Sequence, residues 1–190
     1  MDSLSTMGRV LDETQRIVDG IKPTQLDAPT PCDEWSVRDV LNHITGGAEM
    51  FAIAAKQGKV PDDKLVELTT GDNLGSDYKT AFKGAAGRAM DAFTPPGVLE
   101  KTVTLPFGEM PAGVALDIAI FDVATHTWDL AKATNQTMAL DPEVLGSALE
   151  IAQALLSDDY RALGLFGPVV DVSDDASPQD RLAALTGRTP

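Results

Sequence analysis

A chain of 190 residues, 43% hydrophobic and 23% charged, has the size and balance of one globular domain that buries its own core, and is neither a disordered nor a collagen-like chain. Lys and Arg total 15 against 29 Asp and Glu, a formal charge of -14, so phosphate backbones are repelled and nucleic acid is excluded as a partner. The single cysteine, Cys32, excludes an internal disulfide and a thiolate-rich zinc site, and with neither a ~20-residue apolar span nor a signal-peptide pattern around Asp2, Asp12 and Glu13, a cytoplasmic location away from membranes is expected.

Leu4, Met7, Leu11, Ile17, Val18 and Ile21 recur at helical spacing and predict an amphipathic helix over Leu4 to Ile21, stopped by Gly20 and Pro23. Leu26 to Trp35, with Pro29 and Pro31, reads as an extended linker. Ser36 followed by Asp39 is a capping-box pattern and opens a helix from Val37 to about Lys56, whose stripe of Val37, Val40, Leu41, Ile44, Ala48, Phe51 and Ala55 faces a core. Gly58 to Gly75 is polar and reads as a long loop or a short further element over an open end of the fold. A third helix is expected over Asp77 to Phe93, then a short strand or hairpin at Lys101 to Leu105 before Pro106-Phe107-Gly108. Met110 to Ala133 is apolar nearly all round, the pattern of a buried helix, and Pro142 opens another that runs to about Leu156. The tail from Gly167 carries a helical turn at Arg181 to Leu185. Together these patterns predict a single all-α domain over residues 1–190: an antiparallel four-helix bundle with a short strand or hairpin and a small C-terminal extension.

Both histidines of the chain, His43 and His126, fall in otherwise apolar helices. Asp122 precedes His126 by four residues, so the two side chains leave the helix on one face, the spacing by which a helix presents two ligands to one metal. The same strip runs through Ala115, Ala119 and Asp129, placing carboxylates and an imidazole beside alanines that leave volume unfilled. Unpartnered charge in a core is costly, and a metal ion or polar ligand in that volume would satisfy it. His43, from the facing helix, is the third candidate ligand. Two imidazoles and a carboxylate leave one position open, as in a catalytic rather than a structural zinc site. Asp129 and Asp39 are candidates to support an imidazole from behind, Asp39 being also claimed by its cap. Trp35, Gly47, Met50 and Ala119 are candidate pocket residues, and Trp128 is expected to pack. Cys32, in a Pro-Cys-Asp run ahead of a helix cap, is expected to be a linker residue near the approach to the metal rather than a nucleophile.

The run Thr30-Pro-Cys-Asp-Glu-Trp35-Ser-Val-Arg-Asp-Val-Leu-Asn-His43, then Leu105-Pro-Phe-Gly108 and Asp122-Val-Ala-Thr-His126-Thr-Trp-Asp-Leu-Ala131, resembles the DinB-like metal-binding superfamily. Within it the chain is most similar to the branch of the mycothiol-dependent maleylpyruvate isomerase N-terminal domain and the mycothiol S-transferases, and the tail, Phe166-Gly-Pro168 and Asp180 to Arg188, resembles the end of that branch's short members. The resemblance implies a four-helix bundle with one divalent metal, usually Zn2+, held by His43, Asp122 and His126. In thiol-transferring members it further implies a low-molecular-weight thiol bound to the metal as thiolate. The isomerase pattern has glutamate where this chain has Asp122, other branches have a third histidine, and the isomerase's extra C-terminal domain has no counterpart here, so isomerisation itself is not expected. The expected function is thiol S-transfer, with zinc as cofactor and mycothiol as co-substrate acting on a small electrophile in detoxification, and a homodimer is left open. A metal-dependent hydrolase and a non-catalytic metal or ligand-binding module are the alternatives.

Overall fold

The computed structural model describes residues 1–157, 161–162 and 166–190. Its helices are α1 (Ser3–Gly20), α2 (Val37–Gln57), α3 (Asp62–Thr70), α4 (Tyr78–Phe93), α5 (Ala112–Ala133), α6 (Pro142–Leu155) and α7 (Pro178–Leu185), with strands β1 (Thr102–Leu105) and β2 (Gly108–Pro111) between α4 and α5. Helix starts follow the local chemistry. Asp2 accepts from the Ser5 N–H, Asp77 from Lys79 and Thr80, and Ser36 and Asp39 form the reciprocal capping box of α2.

The bundle consists of α1, α5, α2 and α4, each packed on the next and α4 back on α1. Side-chain pairs set the directions. Ser3 donates to Asp117 at 2.6 Å and Thr14 meets Thr127 at 2.7 Å, so α1 and α5 run parallel. Tyr78 at the start of α4 donates to the Ile21 carbonyl at the end of α1, so that pair is antiparallel. Trp35 lies against His126 and His43 faces Asp122, which makes α2 antiparallel to α5. Helices α1 and α2 therefore stand on opposite corners, and their connection must cross one end of the bundle. Helix α6 packs outside, on α5 and α1, and α7 covers α6 and α5.

One open expectation is resolved and one is corrected. Gly58 to Gly75 is not all loop: α3 forms there, with Asp62 and Asp63 in its first turn and only Leu68 buried, so it carries no apolar stripe to betray it. Its far end is tied to α2, the Asn42 amide donating to the Gly71 carbonyl at 2.9 Å and its oxygen accepting from the Asn73 N–H at 2.7 Å. Nor is Leu26 to Trp35 an extended linker. It folds back on itself: the Thr30 hydroxyl accepts from the Cys32 N–H and donates to the Trp35 carbonyl, Val37 N–H reaches the Ala28 carbonyl, and Glu34 sits at φ 66. This reversal lays Cys32 and Trp35 on the end of the bundle where the histidines lie.

Candidate functional site

His43 stands two turns into α2 and Asp122 and His126 one turn apart on α5, so the antiparallel α2–α5 pair brings them together. Asp122 sits between the imidazoles, Oδ2 3.4 Å from His43 Nε2 and Oδ1 3.6 Å from His126 Nε2. The three donor atoms lie within 4.8 Å of one another. Atoms about 2.0–2.1 Å from a common ion at tetrahedral angles stand roughly 3.3 Å apart, so the carboxylate-to-imidazole separations fit ligands arranged about one point. Two nitrogens and one oxygen are a donor set for zinc or a similar divalent ion, and they fit the metal that the sequence resemblance implies.

Behind His126 the network continues inward. His126 Nδ1 lies 3.0 Å from Asp129 Oδ2, and the Arg188 guanidinium grips the same carboxylate from the C-terminal tail, Nη2 at 3.0 Å and Nε at 3.3 Å, while Nη1 donates to the Thr186 carbonyl at 2.9 Å. Asp129 is wholly buried and Arg188 is 8% exposed. Because an ionised Asp129 only accepts, Nδ1 of His126 donates to it, and Nε2 faces Asp122. Asp129 thus lies in hydrogen-bond contact with an imidazole. Asp39 does not: its carboxylate bonds to the Ser36 N–H and hydroxyl, and no hydrogen bond joins it to His43 among the described residues.

The site's charges follow from this packing. Burial opposes ionisation of Asp122, but the two imidazoles and Arg188 outweigh it and bring the carboxyl down to about 2. His43 is moved the other way: burial lowers it, and the facing Asp122 more than restores it, to a value above the ordinary one. Asp129 is held low, against its burial, by His126 and Arg188. Burial pushes the Cys32 thiol up to about 11, with Asp129 and Asp122 adding to the shift against Arg188. That shift favours the protonated thiol over the thiolate. Cys32 also approaches His126 and Asp129, but those two are already committed to each other and to Arg188.

The three donors open onto a cavity of about 530 Å3 that is also lined by Trp35, Gly47 and Met50. Trp35 stacks on His126, centroids 5.6 Å apart at 16°, and leans on His43 at 4.9 Å. A Cβ on Gly47 would meet nothing within 4 Å, so this glycine leaves the wall open. Ala119 is wholly buried and off the wall; its neighbour Ile118 takes that place. Trp128 packs, its indole N–H reaching Asp180 of α7 and Lys132 lying over its ring. Phe107 at the hairpin tip, Phe121, Phe166 and Arg188 complete the wall. Periodicity could not find three of these residues: Phe107 and Phe166 lie outside helices, and Arg188 acts through a contact 59 residues distant in sequence.

Comparison with known proteins agrees with this architecture. The family model for the mycothiol maleylpyruvate isomerase N-terminal domain matches residues 7–131, a span containing all three donors and all but the two ends of the bundle. Two uncharacterized proteins of Mycobacterium tuberculosis, Rv0738 of strain H37Rv and MT0763 of strain CDC 1551, are each 34% identical over 190 residues, 100% of this chain and 99% of theirs. Crystal structures of a mycothiol-dependent maleylpyruvate isomerase and of a single-site mutant superpose with TM-scores of 0.63 and 0.67, each at 15% identity over 92% of this chain and 76% of theirs. At that identity they show a shared fold. The chain belongs to the mycothiol maleylpyruvate isomerase N-terminal domain family.

Proposed function

We propose that this protein is a zinc-dependent thiol S-transferase that joins a low-molecular-weight thiol, mycothiol by family, to a small electrophile. The observation that carries the reading is the convergence of His43 Nε2, the Asp122 carboxylate and His126 Nε2 at the mouth of a cavity, with a side left open. Membership of a family named for a mycothiol enzyme, and a fold shared with a mycothiol-dependent isomerase, support it.

His43, Asp122 and His126 would hold the ion, and Asp129 with Arg188 behind His126 keeps that imidazole turned to present Nε2. A divalent ion in this position supplies the charge that removes the proton from a bound thiol, which alone is only a few per cent thiolate at neutral pH. Trp35 and Met50 restrict the approach of a second molecule to the cavity side. Transfer then forms one carbon–sulfur bond: the sulfur lone pair attacks the electrophilic carbon, the leaving group departs with its bonding pair, and the thiol proton passes to solvent.

Calorimetry of thiol binding tests the reading. Mycothiol, or 2-mercaptoethanol as a simple probe, is expected to bind metal-loaded protein with release of a proton, counted in buffers of different ionisation enthalpy, and not to bind after chelation. Cobalt-loaded protein with Cys32→Ser should gain a thiolate-to-metal absorption band when the thiol is added. Equal binding with and without metal, and no proton released, overturns the proposal. Turnover of an ester without any thiol would instead point to a metal-dependent hydrolase.

A further inference from the structure

The walls of the cavity define what the thiol's partner must look like. Met50, Phe107, Ile118, Phe121, Leu155 and Phe166 form the apolar part of the wall that the donor cluster shares. Phe121 and Phe166 stand 5.7 Å apart, their rings tilted by 51°. A volume of about 530 Å3 lies within the ~300–1,000 Å3 typical of small-molecule sites.

The charges on the wall are as informative. Asp122 and Asp33 are both part of it, and Arg188 is its one Lys or Arg among the described residues. The charge of Arg188 is paired: Nε and Nη2 bind Asp129, and Nη1 donates to the Thr186 carbonyl. The imidazoles turn Nε2 toward Asp122. The six residues outside the description, Asp158, Asp159, Tyr160, Leu163, Gly164 and Leu165, include no cation. With the thiol occupying the metal's open position, a carboxylate entering the apolar part of the wall would lose its water and find no unpaired positive side chain among the described lining residues.

We infer that the electrophile taken by this cavity is an uncharged, largely apolar molecule of aromatic character, and that dicarboxylates are excluded. The inference rests on the proposed S-transfer for the word electrophile, but the binding selectivity it asserts needs no turnover.

A matched pair of unreactive probes tests it: 2-acetylnaphthalene and 2-naphthoate share a ring system and differ in one charge. They are titrated calorimetrically into the purified metal-loaded protein, alone and saturated with 2-mercaptoethanol. The neutral ketone is expected to bind about tenfold tighter or more, the discrimination that an unpaired buried carboxylate produces. Gly47→Leu places a side chain in the open wall without loss of helix propensity, and should abolish ketone binding with the melting temperature held or raised. Phe107→Ser, at the half-buried hairpin tip, is the second variant and should weaken the ketone several-fold. The inference is overturned if naphthoate binds as tightly as the ketone in the thiol-saturated protein, or if both variants bind the ketone as wild type does. Failure of 2-mercaptoethanol to bind would defeat the S-transferase reading instead, and the probe ratio measured on the chelated, metal-free protein, where no ion can ligate the carboxylate, would still decide the selectivity.

Discussion

Asp129 shows how much a single side chain can govern at this site. It is wholly buried, accepts from His126 and Arg188 at once, and touches none of the cavity's contents directly. Asp129→Asn keeps the shape, but it replaces an acceptor-only carboxylate with an amide that can also donate to His126 Nδ1. The tautomer that presents Nε2 outward is then no longer fixed. Metal affinity is expected to fall by about 10–100-fold, the usual consequence of losing such a partner, with helical circular dichroism unchanged. Competition against a chromophoric chelator measures it, and an affinity within twofold of wild type would show that Asp129 serves the tail alone. His43→Ala and His126→Ala should lose stoichiometric metal on elemental analysis, and retention by both removes the site as drawn.

Two elements show where sequence was informative and where it was not. Helix α2 was legible because its cap and its stripe agree, Ser36 and Asp39 closing a box ahead of Val37, Val40, Leu41 and Ile44. The donor triad was legible too, since Asp122 and His126 sit one turn apart and His43 was the other histidine available. Helix α3 was not, because a helix that buries only Leu68 has no apolar period, and neither was the use of Gly46. This glycine of α2 faces α3 and the turn after it: a Cβ on it would collide with the Leu68 carbonyl and the Asn73 side chain. Gly46→Ala, favourable by helix propensity, is therefore expected to destabilise by roughly 1–3 kcal/mol through overpacking, and a protein as stable as wild type in urea would mean that α3 shifts freely. Glu13 of α1 was equally silent. Burial opposes its ionisation, yet Arg16 and the Ala139 N–H hold it below the ordinary 4.5, and Arg16 also donates to the Thr137 carbonyl, clamping the connection into α6. A folded value below the unfolded one stabilises at pH above about 4.5, and that stability is lost as pH falls through the folded value. Glu13→Gln should then cost about 1–3 kcal/mol at pH 7, and the gap from wild type should close as melts are repeated toward pH 3.

At the scale of the whole molecule the site is assembled from pieces far apart in the chain, and the last of them is the tail. The crossing connection from α1 to α2 brings Trp35, the bundle brings the three donors, and residues 166–190 bring Phe166 and Arg188. The tail is seated by a close approach in which Gly187, at φ 92, leaves no room for a Cβ against the Gly167 backbone, by the cap of Ser177 on α7, and by the Trp128 indole on Asp180. The Arg188 and Asp129 pair is the electrostatic lock, since both groups are buried and each would be left uncompensated without the other. Arg188→Ala should therefore destabilise by about 3–5 kcal/mol, the cost of stranding a buried charge, whereas Arg188→Ala with Asp129→Asn together should cost less than the sum, because the second change removes the stranded carboxylate. Chemical denaturation of the two single variants and the double variant gives the coupling energy. A coupling near zero would mean that His126 alone satisfies Asp129, and that the tail closes the cavity without holding the imidazole in place.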